Sequence, residues 1–152
     1  MNTDATALSP SRFAVLGYGG LLPFIGLTLL ILFWAEYRAF FSMMMVGYGA
    51  VILSFVGALH WGFAMTLKDL PAKQRKERLV WSVIPALIGW GSTLLPVPVG
   101  CLVLTFGFVG HLWQDRKLAQ AVPGWYLPMR VHLTAVASLC LLVSALAVSI
   151  HF

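Results

Sequence analysis

Five apolar stretches, at 13–34, 40–67, 79–95, 97–113 and 131–151, contain no Asp, Glu, Lys or Arg. A helix rises about 1.5 Å per residue and the hydrocarbon core of a bilayer is about 30 Å thick, so about 17–25 apolar residues suffice to cross it. Several of these stretches reach that length. Inside a bilayer no water can satisfy backbone N–H and C=O groups, and a segment that closes its own hydrogen bonds is a helix. The pattern therefore predicts an all-α, polytopic integral membrane protein, a five-transmembrane-helix bundle forming a single transmembrane domain over 1–152. Charge content agrees. Charged residues make up 10% of the 152-residue chain, against about 25% in soluble domains, too few to cover a water-facing surface.

The first apolar run is too long for a signal-peptide core and ends in Phe33 and Trp34, so it reads as a retained span. Spans three and four are separated only by the Pro96, Val97, Pro98 string, which predicts a tight antiparallel hairpin. Read as one helix, 79–113 would be about 52 Å long, well beyond the bilayer core. Phe55-Val56-Gly57 and Phe108-Val109-Gly110 recur late in spans two and four, and LLPFIG and VIPALIG in spans one and three. A duplicated helix pair and chance matching in a biased composition both account for them.

Lys and Arg accumulate on the cytoplasmic side of membrane proteins. With five spans, one face carries Arg12, Lys68, Lys73, Arg75, Lys76, Arg78, Arg116, Lys117 and Arg130, and the other only Arg38. The expected orientation is N-in/C-out. This placement also explains the net charge of +5 without nucleic acid. Lys68, Lys73, Arg75, Lys76 and Arg78 directly follow span two, where each basic residue gains about 1 kcal/mol from anionic headgroups. Trp34 at one boundary, and Trp81, Trp113, Trp125 and Tyr126 near the other, read as interfacial anchors. The loop from about 114 to 130 is expected along the inner surface.

Polar residues within spans are the place to look for function. His60 lies eight residues before Lys68, about 12 Å deep on a straight helix, and requires a hydrogen-bond partner. Its span carries Gly47, Gly49, Ser54, Gly57 and Gly62, a packing face that admits close helix approach. His111 precedes Asp115 by four residues, one turn away on the same face, so Asp115 is placed to accept from it. The sharp reading is haem ligation by His60 and His111, or a quinone site between spans two and four lined by His60, His111, Trp61 and Trp113. The plain reading makes His60 a satisfied intramembrane residue and His111 an interfacial one, as His132 and His151 are at their span ends. Asp4, Glu36, Asp69, Glu77 and Asp115 all lie in or beside polar segments. Cys101 and Cys140 form no metal or disulfide pattern. No catalytic residue, zinc-protease motif, phosphate-binding glycine loop or nucleophile elbow is present.

The strings GAVILSFVGALHWG (49–62), SVIPALIGW (82–90), FVGHLWQDRKLA (108–119) and GWYLPMRVHLT (124–134), in this order, resemble the bacterial and mitochondrial family that includes transmembrane protein 69. The resemblance implies a multi-pass protein of the bacterial inner membrane, or alternatively the mitochondrial inner membrane, and transfers no catalytic residue. The expected function is a non-enzymatic accessory or structural one, through helix contacts with membrane lipids, a membrane-protein partner or a second copy. A haem or quinone site and small-solute carriage are the alternatives.

Overall fold

The computed structural model describes residues 10–150, with side chains from residue 14 onward. All regular structure among these residues is helical: α1 (Pro10–Gly19), α2 (Leu22–Phe33), a 3-10 turn (Ala35–Tyr37), α3 (Arg38–Thr66), α4 (Ala72–Ser92), α5 (Val97–Arg116) and α6 (Tyr126–Ser149). Four helical segments are long and apolar enough to cross a membrane: Ala14–Phe33, Ala35–Thr66, Val97–Arg116 and Tyr126–Ser149. The remaining helix, α4, opens on Lys73, Arg75, Lys76, Glu77 and Arg78, so its apolar part begins only after two turns.

The first span is not one helix. It breaks at Gly20 and Leu21, where Gly20 N donates to Gly17 O at 3.1 Å and Leu21 N to Tyr18 O at 2.9 Å. Pro23 then falls in the first turn of α2, where its missing N–H leaves no bond unmade. Tyr48 Oη on α3 donates to Gly20 O at 2.8 Å and satisfies a carbonyl that the break exposes. Arg38 Nε likewise donates to Ile31 O, at 3.0 Å, at the end of α2.

Helix α3, with 29 residues and a length of about 43 Å, is the central element and packs against α2, α4, α5 and α6. Phe24, Ile31, Met45, Leu53, Leu104 and Leu141 fill the space between helices. Glycines set the closest approaches. A Cβ at Gly57 would lie 2.8 Å from the Pro85 ring of α4, one at Gly49 2.9 Å from Leu104, and one at Gly89 2.8 Å from Ala50 O and 3.2 Å from Ser54 Oγ. Gly49, Ser54 and Gly57 thus lie at close helix approaches within this chain. Among the described residues, nothing lies within 4 Å of a Cβ placed at Gly47 or Gly62. The hairpin between α4 and α5 is as tight as its prolines require, with Gly100 so close that a Cβ would meet Ser92 O at 2.7 Å.

Four hydroxyls inside the bundle turn back to the preceding helical turn. Thr28, Ser54, Thr105 and Ser144 donate to the carbonyls of Phe24, Ala50, Cys101 and Cys140, which satisfies them without water. The outward faces are apolar, with Val51 and Phe55 on α3, Val80, Val83, Leu87 and Trp90 on α4, and Phe106 on α5 all exposed. The α5–α6 loop folds back on the bundle. Its Leu118 and Val122 are buried with Tyr126 against Phe63 and Leu70, closing one end.

Candidate functional site

The inward face of each of four helices ends in polar residues at that closed end. On α4 the buried positions run Ser92, Gly89, Pro85, Ser82 and Arg78. On α5 they run Gly100, Leu104, Phe108, His111 and Asp115, and on α6 Ala137, Thr134, Arg130 and Tyr126. This is helical spacing, so Arg78, Asp115 and Arg130 continue the faces that pack the core. With His60 of α3 they form one buried cluster.

Asp115 is its centre. Oδ1 accepts from His60 Nε2 at 2.7 Å, and Oδ2 accepts from Arg130 Nε at 2.8 Å. His111 Nε2 points to the same Oδ1 from 3.6 Å, beyond hydrogen-bond length. Arg78 Nη1 lies 3.4 Å from His60 Nδ1 and donates to Gln114 O at 3.2 Å and Gln114 Oε1 at 3.3 Å. Trp81 Nε1 donates to His111 Nδ1 at 3.0 Å, with the two ring planes only 13° apart.

These contacts decide the histidine tautomers. Indole and guanidinium N–H groups only donate. Nδ1 of His111 therefore accepts and Nδ1 of His60 faces the Arg78 donor, which places the Nε2–H of each ring toward Asp115. The expected Asp115–His111 hydrogen bond is replaced by one to His60.

The ligating atoms of His60, His111 and Asp115 lie within 4.8 Å of one another, a spacing that suits a metal. The donor chemistry does not. A metal-bound histidine gives its lone pair to the metal and its N–H to an acceptor, whereas here each lone pair faces Trp81 or Arg78. Haem ligation meets the same obstacle, and the two rings, with centroids 4.8 Å apart, leave no room for a macrocycle between them. Trp61 and Trp113, read as lining residues, are 56% and 61% exposed and face outward, with Lys117 Nζ 4.2 Å over the Trp113 ring. Trp81 takes the place expected of them. Among the residues read as headgroup ligands, Lys68, Lys73 and Lys76 are exposed. Arg78 is buried in the cluster, and Arg75 turns inward to cap α3, donating to the carbonyls of Ala64, Leu67 and Leu70.

Beside the cluster, between the α1–α2 elbow, α3, α5 and α6, lies a crevice of about 220 Å3. Its walls are apolar, with Phe24, Val56, Phe108, Leu133 and Ala137 among them, except for Tyr126, Arg130 and Thr134. Leu16 and Phe55, 77% and 63% exposed, also line it and mark a mouth on the outer face of the bundle. Among the described residues, Arg130 Nη2 and Thr134 Oγ1 have no hydrogen-bond partner, while Tyr126 is directed at Asp115. Unsatisfied buried polar atoms cost about 1–3 kcal/mol each, so this end of the crevice is a place where an acceptor is wanted.

A family profile described as Protein of unknown function (DUF3429) matches residues 9–146. The chain belongs to that family. It is also similar to Transmembrane protein 69 of Xenopus tropicalis, with 32% identity over 145 residues, covering 94% of this chain and 57% of that protein. Transmembrane protein 69 of Mus musculus is 27% identical over 147 residues, covering 94% of this chain and 59% of that protein. The chain thus spans a little under three fifths of the length of these curated relatives. No solved structure matches. Family membership agrees with a membrane protein built of helices, and all four strings that carried the resemblance fall within the matched residues.

Proposed function

We propose that this chain is a membrane-embedded binding protein for a lipid-soluble molecule of the quinone class, held in the crevice beside Asp115 and Arg130. The observation that carries this reading is an apolar crevice with an exposed mouth whose polar walls, among the described residues, are Tyr126, Arg130 and Thr134, with Arg130 and Thr134 presenting unpartnered hydrogen-bonding atoms. These, a guanidinium N–H and a hydroxyl, are suited to carbonyl oxygens, and the volume suits a single ring with its tail left in lipid. A neutral head is preferred to a carboxylate, because Arg130 is already paired with Asp115 and a second anion there would be repelled. No chemical conversion is assigned to the site. The role is one of holding the ligand, whether in storage, delivery or support of a partner.

The membrane is the bacterial inner membrane or its mitochondrial counterpart, with five spans including α4, the N-terminus inside and the C-terminus outside. The nine-to-one distribution of Lys and Arg supports that orientation. The exposed stripe Val80, Val83, Leu87 and Trp90 supports α4 as a lipid-facing span. An accessory role through helix contacts is the second reading, favoured by the open Cβ positions of Gly47 and Gly62 on α3, which let a partner helix approach.

Binding of decyl-ubiquinone to protein in nanodiscs, followed by calorimetry, tests the first reading. Tyr126→Phe with Thr134→Val removes two hydroxyls while preserving shape, and on the order of tenfold weaker binding is expected from about 0.5–1.5 kcal/mol per hydrogen bond. Unchanged affinity, or none in the unmodified protein, would reject the quinone reading.

A further inference from the structure

A second, separate concavity runs between α4 and α5 on the outside of the bundle, about 490 Å3 in volume. Lys73, Lys76 and Lys117 stand at one end with Glu77, and Val80, Trp81 and Ile84 continue it along α4. Three positive charges and one negative leave that end cationic. From Lys76 to Ile84 the groove descends eight residues, about 12 Å, from the charged first turns of α4 into its apolar part. The order is that of a phospholipid: anionic head above, acyl chains below. Basic pockets between helices at a membrane boundary are where anionic lipids are recognised individually.

The inner wall is held in place by the buried cluster. Gln114, which lines the groove, accepts from Arg78, and Trp81 is fastened to His111. Both wall residues are thus ordered before any lipid arrives, which lowers the entropic cost of binding.

We infer that the α4–α5 groove is a specific site for one anionic phospholipid, its phosphate between Lys73, Lys76 and Lys117 and an acyl chain along Val80 and Ile84. The inference is independent of the quinone reading, since the two sites share no lining residue.

Trp81 is a built-in probe. In a variant with Trp34, Trp61, Trp90, Trp113 and Trp125 replaced by Phe, reconstituted in phosphatidylcholine nanodiscs, brominated phosphatidylglycerol at low mole fraction should quench Trp81 several-fold more than brominated phosphatidylcholine. Replacing Lys73, Lys76 and Lys117 with Gln should remove that difference. Replacing Lys68 and Arg116, equally basic and exposed but outside the groove, should leave it intact. Inorganic phosphate, against chloride of equal ionic strength, should not relieve the quenching. Equal quenching by the two lipids overturns the site outright, even if the triple variant does not insert. A preference that survives the triple substitution, or falls equally with Lys68 and Arg116, reduces it to a general charge effect and also overturns it. Relief by phosphate would reassign the lysines to a free anion.

Discussion

His60 Nε2 and Asp115 Oδ1 meet at 2.7 Å, both fully buried, and tie α3 to α5 across 55 positions of the chain. Arg130 completes the carboxylate from α6, so one acid joins three helices. Removing it leaves Arg130 charged and uncompensated inside the bundle. Asp115→Ala should cost about 3–5 kcal/mol, the usual consequence of breaking a buried pair. It should be read as a marked drop in thermal unfolding midpoint in detergent. Asp115→Ala with Arg130→Met, which removes both charges, should recover part of the loss. No recovery would mean that the two side chains are not coupled.

The hydrogen-bond pattern fixes both imidazoles as Nε2–H tautomers. Nitrogen-15 spectra of the labelled protein should show protonated Nε2 and unprotonated Nδ1 for His60 and His111. Trp81→Phe removes the donor at His111 Nδ1 and should mix the tautomers of that ring alone. A His111 Nδ1–H signal in the unmodified protein would contradict the geometry.

The same tautomers predict a weak response to metals and haem. Zinc or ferrous ion added to the purified protein should not raise its unfolding temperature, since a ligand bound only by the folded state would do so by mass action. Haem titrated into it should develop no bis-histidine Soret band that depends on His60 and His111. A stoichiometric signal lost in either His→Ala variant would show that the cluster rearranges to release its lone pairs.

Gly57 and Gly62 lie in one helix yet face different surroundings. At Gly57 a methyl would lie 2.8 Å from two carbons of the Pro85 ring, which cannot rotate away, so α3 and α4 must separate. Gly57→Ala should destabilise by about 1–3 kcal/mol, as overpacking does. Gly62→Ala and Gly47→Ala, with open space at Cβ, should stay within about 0.5 kcal/mol of the original. Thermal unfolding of the three variants separates the cases. A destabilised Gly62→Ala would point to a contact outside this chain.

The passage of α4 through the membrane is open to reporter fusions. A reporter joined in the 67–71 connection and one in the 93–96 turn should report opposite sides, and one after residue 152 should be active outside. If the first two report the same side, α4 lies along the membrane instead of crossing it.

The helices and their lipid-facing nature were legible because they depend on local quantities: run length, charge exclusion and the spacing of prolines. Apolar runs two to five fall in α3 to α6, four segments are candidate spans with α4 not among them, and the 96–98 string does close a tight hairpin. The break in the first span was less legible, because Pro23 was visible but only Tyr48 and the Gly20 carbonyl reveal where the chain turns. The site was half legible. His60 and His111 stood out as polar residues in apolar runs. Asp115 stood out only as a partner for His111, and Arg78 and Arg130 did not stand out as site residues, since each sits at the edge of a charged segment where solvation is the expected fate. The clue was the spacing of small residues leading back to Arg78 and of Leu104 and Phe108 leading to Asp115, which marks them as inward-facing.

By itself the sequence determined that this protein is helical, multi-pass and family-typical, because a bilayer permits only segments that satisfy their own backbone. Only the tertiary structure decided which charges are solvated and which are buried. That choice depends on helix rotation and on the α5–α6 loop folding over the bundle end, neither of which is encoded in any one segment. It set Arg78 and Arg130 inside with Asp115, and left Lys73, Lys76 and Lys117 outside.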